Sequence, residues 1–116
     1  MEMELQPIYF NQIKDKKKLY ETRIYDKKRQ TIKLLDIITF TNKETKKTFK
    51  AKIVELSHFK TFGEALSSVG IKKVLPSARS LEDGIKTYEA FPHKEFKNYK
   101  IAAKKYGVLR MKFELL

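Results

Sequence analysis

Lys18, Glu21 and Arg23 are the residues whose types and spacing suggest chemistry, because they place one carboxylate between two cationic side chains. Such a carboxylate can accept a hydrogen bond from a nucleobase edge, while the cations bind phosphate. In a closed pocket the same groups can move protons. A neighbouring arginine favours the neutral, nucleophilic form of a lysine, and a glutamate opposes that effect. The alternative interpretation is an exposed cross-strand salt bridge, which contributes about 0.2–1 kcal/mol to stability.

Secondary structure decides whether these three side chains can meet. The β-branched and aromatic run Leu19–Tyr25 predicts a strand, and Glu21 and Arg23 lie two residues apart on it, so they share one face. Lys18 is three positions before Glu21, so on a continuous strand it would point to the opposite face. It joins the other two only from a turn between this strand and a preceding helix, and the sequence just before Lys18 predicts such a helix.

The rest of the chain predicts a small α+β domain built around a sheet or barrel. β-branched residues and alternation of apolar with charged side chains indicate strands, whereas capping signals indicate helices. The other predicted strands are Leu5–Phe10, a strand within Thr31–Thr41 with Asp36 in the turn before it, Phe49–Leu56 and Leu109–Leu115. The first predicted helix has Phe10, Ile13 and Lys17 on a single face. Two more start at the motifs Thr61-x-x-Glu64 and Ser80-x-x-Asp83. A last helix ends at Gly107 and carries Phe96, Tyr99, Ala103 and Tyr106.

Length and composition narrow the class of protein. The 116 residues contain no repeat and no linker, so we expect a single domain over 1–116. No apolar run approaches the ~18 residues of a membrane span, so no membrane partner is expected. There is no cysteine, and His58 and His93 are isolated in the sequence, with His93 expected to be exposed. These features predict a soluble intracellular protein, cytoplasmic or nuclear, without metal or cofactor.

The net charge of +12 favours a polyanionic partner such as RNA. Half of this charge lies between Lys14 and Lys33, where nine basic residues face three acidic ones. Aromatic residues near this segment can stack on bases, and Tyr9, Tyr20, Tyr25 and Phe49 are the candidates. The alternative is that the lysines only solvate the surface. The predicted nucleic-acid surface comprises Lys14, Lys16, Lys17, Lys27, Lys28, Arg29 and Lys33.

The order of these features resembles the ASCH domain, a member of the PUA-like superfamily. The resemblance extends from about Pro7 to Phe113, and the ordered set of segments is more specific than the Lys-x-x-Glu-x-Arg element alone. The segments that carry it are Ile13–Asp15, Lys18–Arg23, Lys33–Phe40, His58–Leu66, Tyr88–Phe91 and Tyr106–Val108.

The resemblance implies a small PUA-like β-barrel of about five to six strands with flanking helices and a cleft beside the first helix. It also implies RNA binding, with Lys18, Tyr20, Glu21 and Arg23 as the binding residues. Two positions depart from the family pattern. Leu35 replaces a glycine, and Lys16 or Lys17 replaces a second glycine before the lysine of the motif, and both changes affect turns.

Some small ASCH proteins are hydrolases, which gives the alternative function. These include RNA-cleaving proteins and N4-acetylcytidine amidohydrolases, and the latter use a Lys-x-x-Thr pair with a later glutamate. Lys18 matches that lysine, whereas Glu21 replaces the threonine. In an enzyme Lys18 is the predicted nucleophile or base and Glu21 handles protons. A second alternative is a protein-interaction adaptor whose lysines only solvate the surface.

Overall fold

The computed structural model describes residues 1–116 and contains five strands and five helices, which confirms the predicted α+β class. A single turn of 3₁₀ helix at Arg29–Thr31 follows the second strand. The strands are β1 (Glu2–Leu5), β2 (Tyr20–Ile24), β3 (Ile37–Asn42), β4 (Thr48–Phe59) and β5 (Val108–Leu115). The helices are α1 (Pro7–Lys14), α2 (Phe62–Ser67), α3 (Ile71–Val74), α4 (Leu81–Glu89) and α5 (Tyr99–Tyr106).

The five strands form one curled sheet, a half-barrel with the order β1-β3-β4-β5-β2. β1 pairs in parallel with β3, and every other pair is antiparallel. β1 and β2 are therefore the two edges of the sheet. The curl brings these edges together, since Arg23 Nη2 on β2 donates to the backbone oxygen of Glu4 on β1 at 3.1 Å. We call the gap between the two edge strands the seam.

Two hydrophobic clusters lie on opposite faces of the sheet. One face packs against α1, whose Phe10 and Ile13 are buried. The other face packs against the remaining helices, and Phe62 and Tyr88 stack there with ring centroids 5.4 Å apart. Burial of each large apolar side chain contributes roughly 1.5–3 kcal/mol, so both clusters hold the curl of the sheet in place.

The start of the chain differs from the prediction. The predicted strand Leu5–Phe10 is wrong, because β1 ends at Leu5 and α1 begins at Pro7. Proline at the first helical position loses nothing by lacking an N–H, and its fixed φ suits a helix, so it favours a helix start over a strand. α1 ends at Lys14, which leaves Lys17 in the following turn.

Most of the predicted turns and caps are confirmed. Thr61 Oγ1 accepts a hydrogen bond from the Glu64 amide, and Ser80 Oγ accepts one from the Asp83 amide. Asp36 lies in the turn before β3, where its Oδ2 accepts from the Lys33 amide at 2.8 Å. These contacts are local, and the sequence motifs that predict them therefore specify them directly.

Three of the turns are strained. Leu35 has φ +72°, Lys16 has φ +62° and Lys46 has φ +64°, in the left-handed region that glycine adopts without cost. Leu35 and Lys16 are among the positions at which the resemblance implies a glycine. An L-residue in this region costs roughly 1–2 kcal/mol, so these turns carry strain that the surrounding structure must offset.

No helix in the structure is both long enough and apolar enough to cross a membrane. The structure also contains no group of three or more histidine, aspartate or glutamate side chains placed to hold a metal ion.

Candidate functional site

Lys18, Glu21 and Arg23 come together in the arrangement that their spacing along the chain predicts. Glu21 and Arg23 share one face of β2, and Lys18 reaches them from the turn after α1. Lys18 Nζ lies 3.3 Å from Glu21 Oε1, and Arg23 Nη2 lies 3.4 Å from Glu21 Oε2. The Lys18 and Glu21 side chains are only 0% and 6% exposed, so the exposed salt bridge considered as an alternative is not what forms.

The backbone of α1 holds Lys18 in position. The amides of Lys17 and Lys18 both donate to the carbonyl oxygen of Gln12, at 2.9 and 3.0 Å, which closes the helix into a tight turn. Lys16 occupies its left-handed conformation within this turn. The turn therefore directs Lys18 inward, toward the carboxylate on the neighbouring strand.

The Lys18 ammonium group uses all three of its protons. It donates to the backbone oxygen of Val74 and to Tyr88 Oη at 2.9 Å, and it pairs with Glu21. Its Nζ also lies 5.5 Å from the ring centroids of both Tyr9 and Tyr88. Burial lowers the pKa of Lys18, and the Glu21 carboxylate partly opposes this effect. The ammonium group is thus fully saturated with partners and enclosed.

Glu21 has one saturated oxygen and one that retains acceptor capacity. Its Oε1 accepts from Tyr88 Oη at 2.7 Å and from the Thr22 amide at 3.0 Å, in addition to its pairing with Lys18. Its Oε2 has only the long contact with Arg23, at 3.4 Å. Burial alone would raise the pKa of Glu21, but the charges of Lys18 and Arg23 and these hydrogen bonds outweigh it and lower the pKa. The group is therefore a carboxylate with an unused acceptor.

Tyr88 links the carboxylate to the lysine. Burial raises the pKa of Tyr88 well above its ordinary value, and the charge of Glu21 raises it further. The hydroxyl therefore stays protonated, donates to Glu21 and accepts from Lys18. Tyr88, on α4, therefore links Lys18 in the turn before β2 to Glu21 on β2.

Arg23 completes the site at the seam. Burial would lower the pKa of Arg23, but Glu21, Tyr99 and Tyr88 outweigh it and raise the pKa, so the guanidinium is charged. Its Nη2 donates to Glu4 O and to Glu21 Oε2. A guanidinium has five N–H donors in a planar fork, which leaves donors for a ligand.

A cavity of about 180 Å³ opens beside this charged pair. It lies between the end of β1, α1, β2 and the segment that joins α4 to α5. The residues that line it are the charged Glu4, Glu21, Arg23 and Lys43, the polar Gln6 and Thr22, the aromatic Tyr9, Phe91 and Tyr99, and the apolar Leu5 and Pro92.

The predicted site residues fall in different places. Glu21, Arg23 and the stacking candidate Tyr9 line the cavity, whereas Lys18 supports Glu21 from behind and does not line it. Tyr20 lies on the other face of β2, where its ring packs 5.1 Å from the Arg110 guanidinium. The structure therefore gives the binding role predicted for Tyr20 no support.

Sequence reasoning did not identify the other members of the site. Tyr88 belongs to an apolar stripe on α4, and nothing in that pattern distinguishes it from a core residue. Phe91 and Tyr99 lie 70 and 78 positions after Glu21 in the sequence and reach it only through the packing of α4 and α5. Lys43 lies in the hairpin between β3 and β4, where a lysine carries no specific signal.

The predicted basic surface divides into two parts. Lys14, Lys16 and Lys17 precede β2, and Lys27 and Lys28 follow it, so the two groups lie at opposite ends of a strand that is roughly 16 Å long. Only the second group approaches the seam. There a groove of about 430 Å³ adjoins the cavity, since Glu4 and Arg23 line both. Its basic side chains are Arg23, Lys28, Arg29 and Lys46, and its acidic side chains are Glu2 and Glu4.

Arg29 is fixed by an ion pair. Its Nη1 lies 2.8 Å from Asp26 Oδ2, and the same oxygen lies 3.0 Å from His93 Nε2. The His93 side chain is only 5% exposed, so the prediction that His93 is exposed is wrong. Burial would raise the pKa of Asp26, but the hydrogen bond from His93 and the charge of Arg29 lower it. Lys33, the last predicted surface residue, is exposed in the turn before β3.

Comparison with known proteins supports the same architecture. The family model described as the ASCH domain matches residues 3–116. The crystal structure of the hypothetical protein PH0355 is similar, with a TM-score of 0.83 and 40% identity over 99% of this chain and 97% of that one. The solution structure of protein PF0455 from Pyrococcus furiosus has a TM-score of 0.75 and 36% identity over 99% of this chain and 96% of that one. No curated protein matches.

Proposed function

Because the chain belongs to the ASCH domain family, we propose that it binds single-stranded RNA and that one unpaired base enters the cavity beside Glu21 and Arg23. The observation that carries this proposal is the Glu21–Arg23 pair itself. It presents an unused carboxylate acceptor next to a charged donor inside an aromatic cavity. This combination matches the edge of a nucleobase, where donors and acceptors alternate.

The size and walls of the cavity favour a single base. Pockets for drug-sized molecules have volumes of roughly 300–1,000 Å³, and this cavity of about 180 Å³ is smaller. Tyr9, Phe91 and Tyr99 supply aromatic surface on which a planar ring can stack. A base reaches such a cavity only when it is unstacked, which is why we propose a single strand and not a duplex.

The groove next to the cavity suits the backbone of the same strand. Arg23 lines both spaces, so a nucleotide bound in the cavity would place its phosphates toward Lys28, Arg29 and Lys46. Arg29 is held in place by Asp26, which reduces the entropy lost on binding phosphate. The excess of positive charge on the chain adds an attraction that depends on salt.

Lys18 has a positioning role in this proposal. Its three protons hold Val74, Tyr88 and Glu21, and its position behind Glu21 separates it from the cavity. To act as the nucleophile of a hydrolase, Lys18 would have to break these contacts. It would also have to reach a substrate in the cavity, which it does not line. The geometry therefore favours binding over the hydrolase alternative.

Binding is tested by fluorescence anisotropy with labelled ten-nucleotide strands of A, C, G and U, each at two salt concentrations. Arg23→Ala should weaken binding at least tenfold, because it removes the donor in the cavity and a phosphate contact. Lys97→Ala is the matched control, since Lys97 is exposed and lines none of the cavities described above. Equal affinities for the two variants would refute the proposed site.

Catalysis is tested with the same preparations. The protein is incubated with N4-acetylcytidine and, separately, with RNA, and products are separated by chromatography. We expect no product. Product that disappears in Lys18→Met, in a variant shown by circular dichroism to be folded, would make the hydrolase alternative correct.

A further inference from the structure

A second and larger cavity lies on another side of the molecule. It has a volume of about 480 Å³ and lies between the end of β4, the start of α2 and α5. It shares no lining residue with the cavity beside Glu21. We call it the α5 groove. Its lining residues include Phe59, Lys60, Lys100, Lys104, Tyr106 and Gly107.

The charge of the α5 groove is strongly positive. Four lysines line it, Lys60, Lys100, Lys104 and Lys105, against the single carboxylate of Glu89. None of these lysines forms a salt bridge within the chain. A cluster of unpaired cations around a concave surface is complementary to an anionic ligand.

Lys100 is unfavourable for the helix that carries it. It lies in the first turn of α5, where the helix dipole disfavours positive charge, and that turn contains no acidic residue. It also lies four residues from Lys104, so the two like charges share one face and repel each other. Folding alone does not explain a lysine here. A position that breaks local rules in this way is typical of a functional surface.

Aromatic side chains provide the floor of the groove. Phe59 and Tyr106 are partly exposed in it, and Gly107 allows their elements to approach closely. Gly107 has φ +81°, and a Cβ there would lie 2.8 Å from both His58 Nε2 and the Phe59 carbonyl oxygen. A cation already lies over one side of each ring, with Arg110 Cζ 4.7 Å from the Phe59 centroid and Lys105 Nζ 5.1 Å from the Tyr106 centroid. The groove therefore combines partly exposed aromatic side chains with a rim of cations, as single-stranded nucleic-acid sites do.

We propose that the α5 groove binds a second segment of the same single-stranded RNA, with phosphates on its lysines and a base on its aromatic floor. This inference takes its partner from the proposed function. The aromatic floor favours an oligonucleotide over a peptide of aspartate and glutamate, whose side chains have no rings to stack. Tyr99 lines the first cavity and Lys100 lines the α5 groove, so the start of α5 separates the two sites.

Two sites on one strand make affinity depend on the length of the RNA. A strand of four nucleotides occupies only the cavity beside Glu21, whereas a strand of twelve also reaches the α5 groove. The test measures both lengths by anisotropy over a range of salt, for the double variant Lys100→Ala/Lys104→Ala. The control is Lys86→Ala/Lys97→Ala, which removes the same charge at positions that line neither site.

We expect the groove variant to bind the twelve-nucleotide strand at least tenfold more weakly than the control does. The slope of log K against log salt should fall by about 1.4, at about 0.7 for each lost phosphate contact on a single strand. Binding of the four-nucleotide strand should change less than twofold. Equal behaviour of the groove variant and the control would overturn the proposal.

Two further results separate this proposal from the proposed function. If Arg23→Ala leaves all binding intact while the groove variant loses the long strand, the groove is correct and the base cavity is not. If the wild-type protein binds no RNA, both are overturned. A twelve-residue polyglutamate peptide serves as a competitor, and its binding to the groove with the affinity of the RNA would overturn the choice of partner.

Discussion

Lys18 and Tyr88 are seventy residues apart in the chain, and a buried hydrogen bond of 2.9 Å joins them. The same tyrosine donates to Glu21 at 2.7 Å, so one hydroxyl connects the lysine and the carboxylate. The site is thus supported from α4, although the charged residues themselves all lie within six positions of one another in the sequence.

Tyr88→Phe should lower the free energy of unfolding by about 2–3 kcal/mol. The change leaves a buried donor on Lys18 and a buried acceptor on Glu21 each short of one partner, and each loss costs about 1–3 kcal/mol. Urea denaturation measures the effect. Tyr106→Phe is the control, since the Tyr106 hydroxyl bonds Glu95 in an exposed position, and it should change stability by less than 0.5 kcal/mol, as is typical of surface substitutions.

Asp26→Asn should flatten the loss of stability in acid. The folded pKa of Asp26 is lowered, so its contribution is present above the unfolded pKa of about 3.9 and is lost as pH falls through the folded value. Without the carboxylate, the free energy of unfolding should fall less steeply between pH 5 and 2. Thermal melts across this range measure it. Asp15→Asn, which removes an exposed carboxylate, should keep the wild-type slope.

Leu35→Gly should stabilise the protein by about 0.5–1 kcal/mol. Leu35 is 61% exposed at φ +72°, so the change relieves backbone strain and removes little packing. Leu34→Gly is the control one residue earlier, also exposed but without a positive φ, and it should gain nothing. A gain of equal size in both variants would contradict the strain argument.

Two glycines in helices should respond to alanine in opposite directions. A Cβ on Gly84 would lie 2.2 Å from Ile71 Cδ1, so Gly84→Ala should destabilise the protein by about 1–3 kcal/mol. The nearest atoms to a Cβ on Gly63 lie at 3.7 Å, and Gly63→Ala should stabilise α2 by about 0.5–1 kcal/mol. Chemical denaturation checks both signs, and Gly84→Ala/Ile71→Ala should recover part of the loss.

Local signals in the sequence predicted much of the fold. The odd spacing between Lys18 and Glu21 predicted a turn before β2, and the structure has this turn after α1. The capping motifs at Thr61 and Ser80 also led to the correct helix starts. These features depend on neighbouring residues, and that is why spacing alone revealed them.

The features that sequence reasoning missed depend on long-range packing or on a single residue. Pro7 changed a predicted strand into α1. His93 is buried because Asp26, sixty-seven positions earlier, accepts its hydrogen bond. Phe91 and Tyr99 complete the cavity only once α4 and α5 have packed against the sheet. No spacing within the sequence encodes these partners, and they became visible only in the folded chain.

Hydrogen exchange at the seam should reveal whether the cavity is occupied. β1 and β2 share no ladder of hydrogen bonds, and the side chain of Arg23 bridges them to Glu4. A ligand in the cavity contacts both edges at once, so it adds a link between two strands that share no ladder. Amide protons of β1 and β2 should therefore exchange with deuterium more slowly when the cavity is filled, while those of the central strand β4 keep their rates. Occupancy of the cavity can thus be measured from the local opening of β1 and β2, without a label on the protein or the ligand.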